Sequence, residues 1–237
     1  MGHGHDLAAD GSASLVSRPF EIIAHRGANR EAPENTIPAF ERALDIGVSG
    51  IELDVHVTRD GIPVVHHDAV LPDGGRIERM DSADLERRTD APTLSEVLDL
   101  VNRRCRLYVE IKAAAAVIPS VDLLKKQTDW CAVHSFDHRI SLVARSLIPE
   151  LTTGILLVSR LVDSGHALLS SRATDLWQHA DYVDGDIIAE SHSKGARVFA
   201  WTVNDVARAR ELQALGIDGI CTDTPRELLR GLADGAP

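Results

Sequence analysis

The stretch IELDVHVTRDGIPVVHHD (51–68) places two carboxylates, Glu52 and Asp54, two residues apart in an otherwise apolar run, and follows them with His56, His66 and His67. Strand period two puts Glu52, Asp54 and His56 on one face and turns Ile51, Leu53 and Val55 to the other. A strand whose apolar side already packs on its neighbours has no packing reason to carry so many ionisable groups on the other. The pattern recurs: EIIAHRG (21–27) ends a candidate strand in His25 and Arg26, and RLYVEIK (106–112) ends another with Glu110 and Lys112 on one face. Three carboxylates meeting at strand ends repel one another and resist burial unless they are paired or bind a metal. An all-oxygen donor set suits a hard cation, Mg²⁺ or Ca²⁺, better than Zn²⁺. With such a cation, Arg26 and Lys112 could clamp phosphoryl oxygens. His25 and His67 on either side could exchange protons near neutral pH. This is the layout for hydrolysing a phosphodiester.

Each piece alone has a plainer reading. A Glu-x-Asp pair in a strand is ordinarily a salt-bridge site, and His-Arg-Gly occurs anywhere. The weight comes from three polar clusters at three strand ends. His56 fits a ligand role or a hydrogen-bonded rim histidine. His66, of opposite parity to His67, is expected to face away, and Asp68 to orient a histidine or cap a loop. Trp201, in AWTVND (200–205), reads as an aromatic wall for the organic part of a substrate.

The elements that must position these residues follow from the same pattern. Beyond Pro19, short apolar runs alternate with helical stretches. The strand candidates are 21–25, 50–57, 106–112, 131–136, 152–158, 181–186, 197–203 and 218–223. Between them, Asn35 or Thr36 is a candidate N-cap with Gly47 as terminator, Thr93 and Glu96 have capping-box spacing, one helix starts at Asn204, and Thr224–Pro225 opens the last. Eight strands alternating with helices imply parallel pairing through crossovers. At 237 residues the natural closure is a (β/α)₈ TIM barrel, with active residues at the C-terminal strand ends. The run IPVVHHD (62–68) follows its predecessor after a TRDG turn, too soon for a parallel crossover. It is expected to return antiparallel after strand two and bring His67 back over the mouth. The alternative, an open doubly wound sheet, calls for a Gly-rich phosphate turn after the first strand, and none is present.

Composition bounds the rest. The chain is 44% apolar and 26% charged, with a formal net charge of −11, and clustered Lys and Arg are lacking, which excludes a duplex nucleic-acid binder. No run is long enough for a membrane helix and no secretory signal is evident, so a cytoplasmic location without stable membrane association is expected. Cys105, Cys131 and Cys221 are widely spaced and read as reduced thiols. The expected organisation is a flexible segment over 1–19, one barrel over 20–232 and a tail over 233–237. Oligomeric state is open.

These motifs, taken in order, resemble the glycerophosphodiester phosphodiesterase family: AHRG (24–27), PENTIPAF (33–40), GIELDVHVTRDGIPVVHHD (50–68), PTLSEVL (92–98), EIK (110–112), SFD (135–137), AWTVND (200–205) and GIDGICTDTP (216–225). The resemblance runs from about residue 22 to 229. It implies a TIM barrel, a divalent cation, and hydrolysis of a small-molecule glycerophosphodiester to sn-glycerol 3-phosphate and an alcohol. It also implies Glu52, Asp54 and Glu110 as metal ligands, His25 and His67 as the catalytic pair, and Arg26 and Lys112 on the phosphate. The family often carries L-x-R-T-T-x-G after its His-Asp. Here AVLPDGGRIERM (69–80) keeps Leu71 and lacks Arg-Thr-Thr, which bears on substrate choice because this loop is expected over the mouth. A lysophospholipase D-like diesterase needs an apolar acyl surface, and aromatics make up only 4%. A non-catalytic metal- or phosphate-binding barrel has no use for an acid–base histidine pair.

Overall fold

The computed structural model describes residues 19–234. Its chain runs β1 (Glu21–His25), α1 (Ile37–Ile46), β2 (Gly50–Val57), β3 (Pro63–Val65), α2 (Ser82–Glu86), α3 (Leu94–Val101), β4 (Arg106–Ile111), α4 (Val117–Leu124) and β5 (Cys131–Ser135). It continues through α5 (His138–Leu147), β6 (Thr152–Leu157), α6 (Ser164–Ser171), β7 (Asp175–His179), α7 (Gly185–Ser193), β8 (Arg197–Trp201), α8 (Val206–Ala214), β9 (Gly219–Thr222) and α9 (Pro225–Ala233). Eight of the nine strands pair in parallel in the order β1-β9-β8-β7-β6-β5-β4-β2, and β1 pairs with β2 to close the cylinder. This is the TIM barrel. The ninth, β3, lies antiparallel on β2 with Val55 opposite Val65, the return that the short TRDG turn requires. The expected segment 1–19 lies, apart from Pro19, outside the described residues, as do 235–237 of the tail. Ala233, expected in that tail, closes α9.

One strand differs from expectation. The segment 181–186 holds the end of a 3₁₀ turn (Ala180–Tyr182), the α7 cap Asp184 and the start of α7. The sixth barrel strand is DLWQH, Asp175–His179. Its alternation is disguised because two polar side chains are satisfied in the interior. Asp175 accepts from Arg197 at 2.9 and 2.6 Å, and Gln178 donates to the Leu157 carbonyl. One cap also differs and one is formed without its side-chain bond. Asp205, not Asn204, accepts from the first turn of α8, and Thr36 caps α1 without a side-chain hydrogen bond. The Thr93–Glu96 capping box on α3 is formed in both directions.

Strand alternation divides the core. Ile51, Leu53, Val55, Leu107, Val109 and Val133 pack outward against helices, while Ile23, Tyr108, Ala132, Leu156, Trp177, Phe199 and Cys221 fill the cylinder. The three large aromatics need space: a Cβ on Gly50 would stand 2.9 Å from the Tyr108 ring, and one on Gly219 3.0 Å from Phe199. Below them, at the N-terminal end, Arg197 binds Asp175 and Glu21 (2.7 Å), and Tyr108 donates to Glu21 at 2.6 Å. Breaking such a pair strands a buried carboxylate. Arg197→Ala is therefore expected to cost about 3–5 kcal/mol in denaturant unfolding. Turnover per folded molecule should hold, since the pair lies at the end of the barrel away from the mouth.

Candidate active site

At the C-terminal end the strands open into a cavity of about 190 Å³, lined on its polar side by His25, Arg26, Glu52, His67, Glu110 and Lys112. Phe136, Leu156, Trp177 and Trp201 form its apolar side. Larger hollows lie elsewhere, among them one of about 610 Å³ at the opposite end of the barrel and one of about 770 Å³ beside α2 and α3. Neither holds an acid–base pair with carboxylates.

Backbone register creates the polar wall. His25 stands opposite Glu52 across β1–β2, Asp54 opposite Glu110 across β2–β4, and Glu110 opposite His134 across β4–β5. Each pair is level in the cylinder, so side chains far apart in sequence converge. Asp54 is buried and heavily bonded. Asn35 donates to it at 2.8 Å and Lys112 at 3.0 Å, while Arg26 Nε lies 3.2 Å away without the alignment of a hydrogen bond. Burial opposes its charge, but Lys112, Arg26 and Asn35 outweigh burial and hold its carboxyl below the usual range. Lys112 also reaches Glu110 at 2.8 Å. Glu110 goes the other way: burial, then the charges of Asp54 and Glu52, push its pKa up despite Lys112. A cation beside it would relieve that repulsion, so these donors fit a divalent ion. The ligand atoms of Glu52, Glu110 and His134 lie within 4.8 Å of one another.

The two histidines are held differently. His25 closes β1, and its Nδ1 lies 2.8 Å from Asp223 Oδ1. Asp223 also accepts from Asn29 (2.7 Å) and Asn204 (3.0 Å), so its oxygens face only donors and the His25 proton sits on Nδ1. Nε2 is left for the cavity, 4.0 Å from Glu52. Burial works against a charged His25 ring, but the Asp223 bond and the Glu52 charge prevail and raise its pKa. His67 follows β3, partly exposed, with Nδ1 2.8 Å from Asp68. His56 donates Nε2–H to the His67 carbonyl at 3.1 Å, a pin for the return strand. His66 is absent from the cavity wall and its Nδ1 turns to the Asp68 carbonyl.

Arg26 takes a positive φ of 57° at the end of β1. Its backbone N–H donates to Glu52 and its guanidinium to Glu34. Trp201 donates to the Trp177 carbonyl at 3.1 Å and meets Phe136 and His179 edge-on at 5.4 and 5.3 Å. The segment 69–80 contributes nothing to the cavity wall. Leu71, Ile77 and Met80 bury themselves with Val64 and Leu85 in a separate small core beside β3. The sequence reading did not assign Asn29, His134, Phe136 or Asp223 to the site, and took Asn35 and Asn204 only as helix starts. Inward parity on β5 and β9 was the available signal for His134 and Asp223. The asparagines act through turns that no periodicity marks. Among the described residues no helix is long and apolar enough to cross a membrane.

With this geometry in hand, comparison with known proteins is specific. A model of the glycerophosphoryl diester phosphodiesterase family matches residues 25–227. A glycerophosphodiester phosphodiesterase of Caldanaerobacter subterraneus subsp. tengcongensis is 30% identical, covering 90% of this chain and 98% of that protein. Among solved structures, a phosphodiesterase from Oleispira antarctica in complex with the product sn-glycerol-3-phosphate is similar with a TM-score of 0.82 at 27% identity, over 91% of this chain and 97% of that one. A glycerophosphodiester phosphodiesterase from Parabacteroides distasonis is similar with a TM-score of 0.83 at 26% identity, over 93% and 100%. The chain belongs to the glycerophosphoryl diester phosphodiesterase family.

Proposed function

We propose that this barrel hydrolyses glycerophosphodiesters to sn-glycerol 3-phosphate and an alcohol. In this reading Glu52, Asp54 and Glu110 hold a divalent cation, and His25 and His67 are the acid–base pair. The observation that carries it is the single cavity in which two histidines, two cations and a buried carboxylate cluster meet. The carboxylates alone favour Mg²⁺ or Ca²⁺. When bound, such an ion supplies positive charge to the phosphoryl oxygens as negative charge builds on them.

The chain's own groups do the rest. Lys112 and the Arg26 guanidinium neutralise and orient the remaining phosphoryl oxygens. One imidazole takes the proton of the nucleophile, either water or the glycerol 2-hydroxyl, and the other protonates the departing alkoxide. His25 acts through Nε2 because Nδ1 is committed to Asp223. His67 has the same arrangement with Asp68. Trp201 and Phe136 cover the organic part of the substrate and exclude water. Trp201→Ala is expected to raise KM about tenfold, 1.4 kcal/mol, with a smaller change in kcat, and Trp201→Phe to recover most of it.

The test is release of glycerol 3-phosphate from glycerophosphocholine and glycerophosphoethanolamine by metal-stripped protein with Mg²⁺, Ca²⁺ or Mn²⁺ added back. Turnover that depends on the added ion supports the reading. No turnover with any ion, from protein that binds one, overturns it. A cyclic phosphate detected on the way identifies the 2-hydroxyl as nucleophile. The absence of 69–80 from the cavity wall favours a specificity set by the glycerophosphate half of the substrate. The protein is read as a cytoplasmic enzyme of small molecules, without nucleic-acid partners or stable membrane association.

A further inference from the structure

His134 is left unbonded by the protein around it. It sits on β5 level with Glu110, 1% exposed. Its Nδ1 is buried without a hydrogen-bond partner. Its Nε2 lies on the cavity side 3.7 Å from Glu52 Oε1, beyond hydrogen-bond reach. The plane of the ring is set by its packing. It is stacked on Trp177 at 4.4 Å and 28°, with Tyr108 at 6.5 Å. A buried imidazole without a bond at either nitrogen is a costly arrangement, and its Nε2 points where two buried carboxylates also point. Glu52, Glu110 and His134 each offer a donor atom within 4.8 Å of the others. Asp54, the third carboxylate of the wall, already has its oxygens engaged by Asn35 and Lys112.

We infer that His134 is a nitrogen ligand of the ion at Glu52 and Glu110, giving a mixed carboxylate–imidazole site that prefers a borderline divalent ion such as Co²⁺ or Zn²⁺ to Ca²⁺. The inference rests on the ion site proposed above and shifts its preferred occupant away from the ions that the carboxylates alone would select. Imidazole nitrogen is a common donor to the later first-row divalent ions, whereas Ca²⁺ and Mg²⁺ are satisfied almost entirely by oxygen. Strand β5 supplies the donor that completes the arc from β2 through β4.

The experiment titrates metal-free protein with Co²⁺ and with Ca²⁺ by calorimetry, for wild type, His134→Phe and Glu52→Gln. Phe keeps the stack on Trp177 and removes the nitrogen. The expected result is that wild type binds Co²⁺ more tightly than Ca²⁺. His134→Phe should weaken Co²⁺ about tenfold or more while moving Ca²⁺ less than about twofold. Glu52→Gln should weaken both. Pulsed electron paramagnetic resonance of the Mn²⁺-loaded wild type should show the nitrogen coupling of a bound imidazole, lost in His134→Phe. Equal weakening of both ions in His134→Phe, or none, overturns the inference and leaves His134 a packing residue. An unaltered Glu52→Gln instead removes the ion site itself, a separate failure. If His134→Phe does not fold, His134→Gln replaces it, and a wild-type Mn²⁺ spectrum without nitrogen coupling overturns the inference unaided.

Discussion

His25→Ala is expected to lower kcat for glycerol 3-phosphate release by about 10²–10⁴-fold, the span that one positioned proton-transfer group contributes. KM should change little, because the proposed reading places phosphate affinity on Lys112, Arg26 and the ion. The loss should not be a folding defect. The His25 side chain is 20% exposed at a strand end, and its one strong bond is to Asp223, which keeps Asn29 and Asn204 as partners. Unfolding midpoints should therefore stay close to wild type. A second substrate series separates acid from base. With a 4-nitrophenolate leaving group the departing oxygen needs no proton, so the variant that lacks the acid recovers most of its loss and the one that lacks the base does not. His67→Ala, assayed beside it, should show the opposite response. A His25→Ala enzyme within threefold of wild type on both substrates would remove His25 from the reaction.

The parts of this molecule legible in its sequence are those where periodicity and burial agree. β2 alternates cleanly because its outer face packs on helices and its inner face carries the charges, so Glu52 and Asp54 could be placed by parity. β3 could be read as a return strand because four residues cannot make a parallel crossover. β7 was illegible for the opposite reason. Asp175 and Gln178 are polar yet buried, each satisfied by a partner on another strand, Arg197 for one and the Leu157 carbonyl for the other. No local pattern reveals a partner 22 residues away. The same holds in the site. His134 sits in an apolar strand, where inward parity alone does not tell it from a core histidine and its missing bonds do. Arg26, Glu34, Asn35 and Asp54 form a network whose geometry depends on positive φ at residues 26 and 35, which neither Arg nor Asn announces. Loop 69–80, which departs from the family pattern, was expected over the mouth because a chain bringing His67 there must leave from there. It departs sideways because Leu71, Ile77 and Met80 have their own apolar partners in Val64 and Leu85.

Asp223, which the sequence marked only by parity, is central in structure, and its replacement carries the second large effect. Asp223→Asn is expected to cut kcat by about 10²-fold or more, since the acceptor that fixes the imidazole proposed as catalytic is lost. The Asn amide nitrogen must face either His25 Nδ1 and Asn29 or Asn204, and all of these donate to that carboxylate now. Whichever way it turns, one donor meets another. If the clash falls on His25, the ring gives up the Nδ1 proton and presents the wrong tautomer to the cavity. The pH profile gives a readout that simple loosening would not. His25 is buried, which depresses its pKa, and is carried above the ordinary histidine range by the Asp223 bond first and the Glu52 charge second. Removing the larger of the two raising influences lets burial act, so the limb of kcat/KM that His25 governs must move to lower pH. If the reaction needs His25 protonated, the alkaline limb retreats and the active range narrows; if it needs His25 neutral, the acidic limb retreats and the range widens. Asp223→Glu, which keeps the charge with a longer reach, should recover part of kcat and return the limb toward its wild-type position. A limb that stays put in Asp223→Asn while kcat falls would mean that Asp223 holds the β9 turn through Asn204 and does not tune the imidazole.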